Sequence, residues 1–409
     1  MTGAVTRRAG GLFTSVRRSS QALAERSIEV SVYGLRDDHD EIDLPAWAPL
    51  APRLFDCIGP SALGIAAAMP RALICGGHSV LHQHGLWQYP SIATLRWRRH
   101  TGRPTVISPR GMLDPWALQN SQLKKRVAAR LFERANLNSA SCLHALNRSE
   151  AEAMRAFGLR NPIAVIPNAI DLPLTHMVSG VTPPEWAKGG RAPLLFLGRI
   201  HPKKGLDESL EAWAKLKIEA PEISSAWRLV LAGWDDGGHL PTLIRKAQDL
   251  GLTNEEVVFP GPLFGPDKVA ALAHAKAFLL ASLSEGLPMS VLEAWAFSLP
   301  VFMSEACNLP IGFDWGAAIL APTEPSALAA TLKAHLGRSD LPALGARGRA
   351  LVEQRFTWDQ VAHDFDVLYR WLMTGSLADA PTFVELPDDA LCRGSSDTRK
   401  MVVMQARPR

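Results

Sequence analysis

The sequence has few cysteines and no long apolar run. Its 409 residues include five cysteines, which lie far apart without a CxxC pair, so we expect neither a disulfide framework nor a zinc knuckle. The longest uncharged apolar stretch, residues 58–70, is too short to span a bilayer. The N-terminal segment contains arginines but no apolar signal-peptide core. We therefore expect a cytoplasmic protein that is neither exported nor membrane-spanning.

A large excess of charge of one sign is also missing. The chain carries 44 Lys+Arg and 40 Asp+Glu, a net charge of +4, which argues against a nucleic-acid or polyanion binder with a uniformly basic surface. The charge is nevertheless uneven. Residues 1–170 hold 21 basic and 12 acidic residues, whereas residues 171–409 hold 23 and 28. The sequence thus joins a basic N-terminal half to a mildly acidic C-terminal half.

Short apolar runs alternate with helical stretches of ten or more residues, which is typical of parallel α/β sheets. The predicted strands are Ile28–Gly34, Ser79–Gln83, Thr105–Ser108, Ala140–Ala145, Ile163–Ile166, Leu194–Gly198, Arg228–Ala232, Val257–Phe259, Ala277–Ala281, Val301–Met303 and Ala318–Leu320. Residues 171–193 are rich in Pro and Gly and are predicted to be a linker. We predict two doubly wound domains, residues 1–170 and 194–355.

The two ends of the chain differ from this pattern. Residues 1–10 contain two arginines and two glycines where a buried first strand is usual, so the first domain is predicted to lack that strand; a naturally shorter sheet is the alternative. Residues 356–374 have helical spacing. Residues 375–409 mix Asp, Pro, Ser and Arg without periodicity and are predicted to be a poorly ordered tail.

The most specific motif is SLSEGLPMSVLEAWAFSLP at Ser282–Pro300. Pro288 suits the first turn of a helix, so residues 286–289 are expected to present backbone N–H groups at a helix N-terminus, which attracts phosphate or sugar oxygens. Glu285 would lie just before the helix and Glu293 within it, where carboxylates can accept hydrogen bonds from sugar hydroxyls. The alternative is that Glu285 only caps the helix and Glu293 is solvated.

A second motif, GRIHPKKG at residues 198–205, follows a predicted strand. Gly198 would let a ligand approach the backbone. Arg199 and Lys204 place two cations at the edge where parallel sheets bind ligands, and a departing diphosphate needs such neutralisation of its charge. A positively charged turn without a ligand is the alternative interpretation.

Two motifs in the N-terminal half also follow strands, HQHGLW at residues 82–87 and SPRGMLDPWAL at residues 108–118. His82 and His84 are two residues apart on a strand, so both side chains are predicted to point to the same face. For His82, a hydrogen-bonded packing role is the alternative to a role in binding.

Several motifs, in order along the chain, resemble glycosyltransferase family 4. They are Gly10-Gly11, VIPNAID at Val165–Asp171, LFLGRIHPKKG at Leu195–Gly205, LAGW at Leu231–Trp234 and SEGLPMSVLEAWAFSLPV at Ser284–Val301. The resemblance implies the GT-B fold, in which two Rossmann-like domains face each other across a cleft and a C-terminal helix, here residues 356–374, crosses back to the first domain. Ala169 and Ser298 stand where this family often has glycine, but both are small.

The resemblance also implies roles for individual residues. As catalytic residues it implies Glu285, Arg199, Lys204 and His84; as donor-binding residues Gly11, Gly198, Gly233, Gly286, Leu287, Met289 and Glu293; and as acceptor-side residues Arg110 and Trp87. In such a site Arg199 and Lys204 grip the donor diphosphate, Glu285 contacts the donor sugar, and Glu293 holds the ribose hydroxyls.

The implied reaction is a retaining transfer from a UDP- or GDP-sugar to a saccharide or lipid-pyrophosphate acceptor, as in bacterial exopolysaccharide, capsule or lipopolysaccharide synthesis. No metal or other cofactor is implied. Asp364 and Asp366 do match a D-x-D pattern, but they lie on a helix-like run, where residues two apart do not face each other. No nucleic-acid partner is implied either. Two rival functions are a sugar-nucleotide epimerase or phosphorylase on this fold, and a non-catalytic sugar-nucleotide-binding protein.

The stretch from Arg96 to Arg134 contains ten basic residues and two acids, Asp114 and Glu133, with apolar residues interleaved. It would suit peripheral contact with the anionic inner face of the cell membrane, or with a lipid-pyrophosphate acceptor. A solvated basic face is the alternative.

Overall fold

The structure, a computed structural model, describes residues 1–60, 63–114, 118, 122–173, 180–376 and 379–387. It divides into two compact units. The first comprises Met1–Ile166 and the chain from Ala362 onward, and the second comprises Pro167–Val361. Within the described part of the chain, no helix is long and apolar enough to cross a membrane.

The first unit is built around parallel strands with helices between them. Its strands are β1 (Tyr33–Leu35), β2 (Arg53–Phe55), β3 (Leu81–His84), β4 (Thr105–Ser108), β5 (Cys142–Ala145) and β6 (Ile163–Val165). Its helices are α1 (Gly11–Glu25), α2 (Asp40–Asp43), α3 (Met69–Cys75), α4 (Tyr89–Thr101), α5 (Gln122–Ala128), α6 (Arg134–Ser139) and α7 (Arg148–Ala156). A π-helical turn, Ala129–Glu133, joins α5 to α6.

Met1 and Thr2 occupy the position of the strand that is predicted to be missing. Thr2 forms a parallel bridge with His84, the His84 N–H donates to the Met1 carbonyl (2.9 Å), and the Thr2 N–H donates to the Tyr33 carbonyl (3.0 Å). These two residues therefore lie between β3 and β1, and they connect the paired strands β1 and β2 to the larger sheet.

The predicted strand Ile28–Gly34 is wrong at its start. Pairing begins at Tyr33 because the parallel partner, β2, extends only over Arg53–Phe55. The sequence analysis also missed β2, since a three-residue strand has too short an apolar run to produce a recognisable period.

The second unit contains a six-stranded parallel sheet in the order β12-β11-β10-β7-β8-β9. The strands are β7 (Ala192–Leu197), β8 (Trp227–Ala232), β9 (Val257–Gly261), β10 (Ala277–Leu280), β11 (Val301–Met303) and β12 (Ala318–Leu320). The helices are α8 (Leu206–Glu219), α9 (Pro221–Ala226), α10 (Leu240–Asp249), α11 (Gly265–His274), α12 (Met289–Ala296), α13 (Pro310–Asp314), α14 (Pro325–His335) and α15 (Leu341–Arg355). The strand order reverses between β7 and β10, which makes this pair the switch point where open α/β sheets bind ligands.

Where it is described, the predicted linker is packed on the second unit and is not a free connection. Trp186 is buried in the core of that unit, and the preceding Ile170 N–H donates to the Phe356 carbonyl (3.0 Å). Residues 174–179 of the predicted linker lie outside the described part of the chain.

Helix α16 (Trp358–Thr374) begins in the second unit and continues in the first. Beyond it, β13 (Val384–Glu385) pairs antiparallel with β6, with Val384 opposite Ala164. The prediction of a poorly ordered tail is therefore wrong for these residues, because two residues at a sheet edge are sufficient for pairing without any apolar periodicity. Residues 377–378 and 388–409 lie outside the described part of the chain.

Candidate functional site

The loops that follow β7 and β10 bring Lys204 and Glu285 together at the switch point of the second sheet. The Lys204 Nζ lies 2.5 Å from the Glu285 Oε1, and both side chains are largely buried, with 14% and 11% exposed. A charge pair this shielded from water is only weakly screened. Two residues that are 81 positions apart in the sequence thus form one ionic group.

A close contact between the two loops holds this pair in place. Gly205 has φ +65°, and a Cβ atom there would lie 2.0 Å from the Ala281 carbonyl oxygen. The Leu283 N–H donates to the Lys203 carbonyl (2.8 Å). Because only glycine can pass this close to the end of β10, Gly205 is a structural requirement for bringing Lys204 to Glu285.

One oxygen of the Glu285 carboxylate makes all of its described contacts. Ser282 Oγ donates to Oε1 (2.6 Å), which also faces Lys204, and the Asn308 side chain donates to the Glu285 carbonyl (2.5 Å). Among the described residues, Oε2 has no hydrogen-bond partner. Oε2 is therefore a fixed acceptor that is open to a ligand hydroxyl.

The helix after Glu285 starts one residue later than predicted. Pro288 is the residue before the first helical position, not part of the first turn, and α12 begins at Met289. The helix is anchored by Trp295, which is fully buried and donates to the Ala317 carbonyl (2.9 Å). Gly286 and Leu287 precede the helix, so the four residues 286–289 lie together beside Glu285.

Three other predicted donor-side residues have partners of their own. Arg199 is half-exposed and pairs with Asp236 (2.7 Å), and Glu293 pairs with Lys268 (2.6 Å). A Cβ atom on Gly233 would lie 1.6 Å from the Gly198 carbonyl oxygen. The glycine at 233 is thus needed to pack the β8 loop on the β7 loop.

In the first unit, the structure brings His84 and Arg110 together. Arg110 Nη2 lies 3.2 Å from the His84 Nδ1. The rings of His82 and His84 stack with centroids 4.2 Å apart, which confirms that both point to the same face. His84 also lines a cavity of about 300 Å³ with Thr2 and Gly3, beside the short Met1–Thr2 bridge.

Gly11, another predicted donor residue, opens α1, and Gly10 before it has φ +58°. The motif residues 115–117, including Trp116, lie outside the described part of the chain. In the residues that the structure does describe, no group of three or more His, Cys, Asp or Glu side chains is arranged to hold a metal ion.

Two glutamates that the sequence analysis missed, one buried (Glu133) and one partly buried (Glu150), hold the loops carrying Trp87 and Arg110. Trp87 and Arg110 both have left-handed backbone, with φ +71° and +57°, a conformation that costs energy for residues other than glycine. Glu133 accepts from the Trp87 N–H (2.6 Å), and Glu150 accepts from the Gly111 N–H (2.6 Å). The sequence did offer one indication that Glu133 has a specific partner, since it is one of only two acids among ten basic residues in the stretch from Arg96 to Arg134.

The electrostatic environment keeps His82, His84 and His144 neutral and Arg110 charged. Burial, reinforced by the charge of Arg110, lowers the pKa of His144 to about 3 and moves the pKa values of His82 and His84 well below 6.5. Burial lowers the pKa of Arg110 to about 10, which still leaves it charged at neutral pH. Burial raises the pKa of Glu133 and Glu150.

We expect acid to destabilise the first unit through His144. Because its pKa is about 3 when folded and near 6.5 when unfolded, the unfolded chain binds a proton below pH 6.5 that the folded chain does not. Stability is therefore lost as the pH falls from 6.5 toward 3, at about 1.4 kcal/mol per pH unit for this one residue. Urea unfolding of the wild type and of His144→Gln at about pH 6 and about pH 4.5 measures this loss.

Glutamine at position 144 does not titrate, and its amide can both accept from Ser108 and donate to the Ile166 carbonyl. The other titrating groups are present in both proteins and cancel in the comparison. We expect the wild type to lose about 2 kcal/mol more than the variant over this interval; equal losses would contradict a neutral, buried His144.

Two family models match the chain. The model described as "Glycosyl transferase 4-like domain" matches residues 10–169, and the one described as "Glycosyl transferases group 1" matches residues 191–337. The chain belongs to the group 1 (family 4) glycosyltransferases. The predicted family and enzyme class are therefore confirmed, and the protein is a glycosyltransferase that uses a nucleotide-sugar donor.

Individual relatives agree with this family. A protein of Segniliparus rotundus named D-inositol 3-phosphate glycosyltransferase is 26% identical over 408 residues, which span 90% of this chain and 86% of the relative. The serotype-specific mannosyltransferase WbdA of Escherichia coli is 25% identical over 189 residues, 46% of this chain and 23% of WbdA.

A solved structure confirms the predicted fold class. Anabaena Alr3699/HepE, crystallised with UDP and glucose, has a TM-score of 0.68 and 18% identity to this glycosyltransferase over 90% of the chain and 98% of its own. With its two parallel Rossmann-like sheets and a C-terminal helix that packs on the first unit, the chain has the GT-B fold.

Proposed function

We propose that this glycosyltransferase moves a sugar from a UDP- or GDP-sugar to a saccharide or lipid-linked acceptor, with retention of configuration at the anomeric carbon. The observation that supports this most directly is the Lys204–Glu285 pair at the switch point, with Oε2 of Glu285 open to a hydroxyl. A sugar diphosphate requires both features, a cation for the diphosphate and an acceptor for the sugar.

In this reaction the bond from the anomeric carbon to the phosphate oxygen breaks, and a bond from that carbon to the acceptor oxygen forms. The acceptor proton passes to the departing phosphate. Lys204 neutralises the negative charge that builds up on the diphosphate, and Glu285 orients the sugar through its Oε2. Arg199 and Glu293 would exchange Asp236 and Lys268 for the diphosphate and the ribose when the donor binds.

On the acceptor side we assign His84 and Arg110, with Trp87 in the neighbouring loop. The Escherichia coli relative is named a serotype-specific mannosyltransferase, and this name favours surface-polysaccharide synthesis as the pathway. The rival functions differ in their products: an epimerase needs no acceptor, a phosphorylase needs phosphate, and a binding protein forms no product.

A donor screen tests the proposal. The protein is incubated with individual UDP- and GDP-sugars, with and without a lipid or saccharide extract, and the products are analysed by mass spectrometry. We expect one donor to release its nucleoside diphosphate only when acceptor is present, together with a new glycoside. An altered sugar without acceptor, or thermal stabilisation by nucleotide without any product, would instead favour the rival functions.

We also propose peripheral contact with an anionic membrane through the segment α5–α6. Three exposed arginines, Arg126, Arg130 and Arg134, are spaced by four residues and therefore form a stripe along one side of the helix. Beside them Val127 and Leu131 are 52% and 75% exposed. A basic stripe next to exposed apolar side chains is typical of helices that lie on anionic bilayers.

An apolar cavity of about 520 Å³ lies next to this stripe, lined by Trp87, Leu118, Ala129 and Phe157 with the arginines around it. A cavity of this composition could accept part of a lipid chain whose phosphate meets the arginines. This would place the acceptor side of the first unit at the membrane surface.

Replacing the three arginines by glutamine is expected to weaken binding to vesicles containing phosphatidylglycerol at least about tenfold, because each basic residue near such a surface contributes about 1 kcal/mol. The control is Arg160→Gln, Arg245→Gln and Arg355→Gln, which removes three exposed arginines elsewhere. Vesicle sedimentation measures both proteins. Equal binding by both triple variants would contradict this surface.

A further inference from the structure

A chain of four hydrogen-bonded side chains runs through the first unit and ends on the backbone. The Tyr369 hydroxyl lies 2.7 Å from the His82 Nδ1, and the His82 Nε2 lies 2.6 Å from the Ser108 Oγ. The Ser108 Oγ lies 2.6 Å from the His144 Nδ1, and the His144 Nε2 lies 2.8 Å from the Ile166 carbonyl. Three strands and helix α16 are thus joined by one chain.

When His82 and His144 are neutral, the Ile166 carbonyl at the end of the chain determines which group donates in every hydrogen bond of the chain. The Ile166 carbonyl can only accept, so His144 donates from Nε2 and accepts at Nδ1. Ser108 must then donate to His144, which leaves its oxygen to accept from the His82 Nε2–H. His82 accepts at Nδ1 from the Tyr369 hydroxyl. This arrangement gives every hydrogen in the chain an acceptor.

The same reasoning applies to His84, which stacks on His82 with an angle of 28° between the rings. The Arg110 guanidinium can only donate, so Nδ1 of His84 accepts and the hydrogen of the neutral ring is on Nε2. Among the described residues, Nε2 of His84 has no hydrogen-bond partner. His84 borders the cavity of about 300 Å³ beside Met1–Thr2.

We infer that His84 acts as a neutral hydrogen-bond donor to a substrate oxygen, and that Tyr369, through His82, is a positioning residue for it. This inference rests on the proposed function, in which His84 lies on the acceptor side. His82 supplies a ring of fixed orientation and fixed hydrogen position against which His84 stacks. Helix α16 contributes the hydroxyl that starts the chain, so the helix shared by the two units also orders a group at the site.

Tyr369→Phe is the direct test, because it removes one hydroxyl and keeps the ring that stacks on Phe365 with centroids 5.9 Å apart. Losing this hydrogen bond is expected to lower kcat about tenfold, with the donor KM unchanged because the donor-side residues Lys204, Glu285 and Glu293 lie in the other unit. The control is Tyr89→Phe, which removes the hydroxyl of another tyrosine in the first unit, one that faces Arg96 (3.3 Å).

A second measurement does not depend on activity. Nitrogen-15 NMR of the histidine rings reports which nitrogen carries the hydrogen. We expect Nε2–H for His82, His84 and His144 in the wild type, and in Tyr369→Phe a shift of the His82 Nδ1 signal, because that nitrogen loses its hydrogen-bond donor while Ser108 still accepts from Nε2–H. Wild-type kcat in Tyr369→Phe would overturn the positioning role. A hydrogen on Nδ1 of His84, or an unchanged His82 Nδ1 signal in Tyr369→Phe, would overturn the inference. Neither result depends on whether the proposed transfer reaction is right.

Discussion

Glu285→Gln is expected to lower kcat at least about 100-fold while the protein stays folded. The glutamine oxygen can still accept from Lys204 and Ser282, but an NH₂ group then stands in the place of Oε2. A donor therefore replaces the acceptor that faces the sugar, and the charge of Lys204 is no longer balanced. Initial rates of nucleoside diphosphate release, at saturating donor and acceptor, measure the effect.

Glu305→Gln is the matched control, because Glu305 is an exposed acid at the end of the neighbouring strand β11. We expect wild-type rates for this control and a cooperative thermal transition for both variants, which shows that each is folded. Wild-type turnover in Glu285→Gln would remove Glu285 from the reaction, and loss of activity in both variants would point to a general effect of charge.

Gly233→Ala is expected to lower the free energy of unfolding by about 3 kcal/mol. The added Cβ would lie 1.6 Å from the Gly198 carbonyl oxygen, which belongs to the backbone and cannot rotate away as a flexible side chain can. The loops after β7 and β8 must separate to make room, and the movement would also displace Arg199. Urea unfolding followed by circular dichroism measures the change.

Gly337→Ala controls for the general effect of replacing a glycine. A Cβ atom at position 337 meets no atom within 4 Å, so we expect a change within about 0.5 kcal/mol. Equal unfolding free energies for Gly233→Ala and the wild type would contradict the close packing of the two loops.

The second unit could be predicted well from the sequence. Strand β11 has the predicted bounds because a parallel strand buried on both faces appears as a continuous apolar run. The partly exposed edge strand β12 has the predicted bounds as well. The pairing of Lys204 with Glu285 could be anticipated as well, since both follow strands and the carboxyl ends of parallel strands share one edge of the sheet. Gly205 ends the motif GRIHPKKG, but its close approach to the Ala281 carbonyl could not be predicted from the sequence, because the two residues are distant along the chain.

In the first unit, several contacts between distant parts of the chain could not be predicted from sequence patterns. Tyr369 and His82 are 287 residues apart, and no local pattern links a helix residue to a strand residue at that distance. Glu133 and Glu150 act through backbone N–H groups of other loops, so their partners leave no trace in side-chain chemistry. Strand β13 is two residues long, and only its partner β6 makes it a strand.

Proton NMR of a running reaction tests the transfer most directly. The nucleotide-sugar identified by the donor screen is mixed with its acceptor and the wild-type glycosyltransferase, and the anomeric signals of donor and product are followed together. We expect the donor signal to decay with release of nucleoside diphosphate while one glycoside signal of the same anomeric configuration appears, and we expect no decay with Glu285→Gln. A product of inverted configuration, or donor consumption without a glycoside, would contradict retaining transfer at the Lys204–Glu285 site.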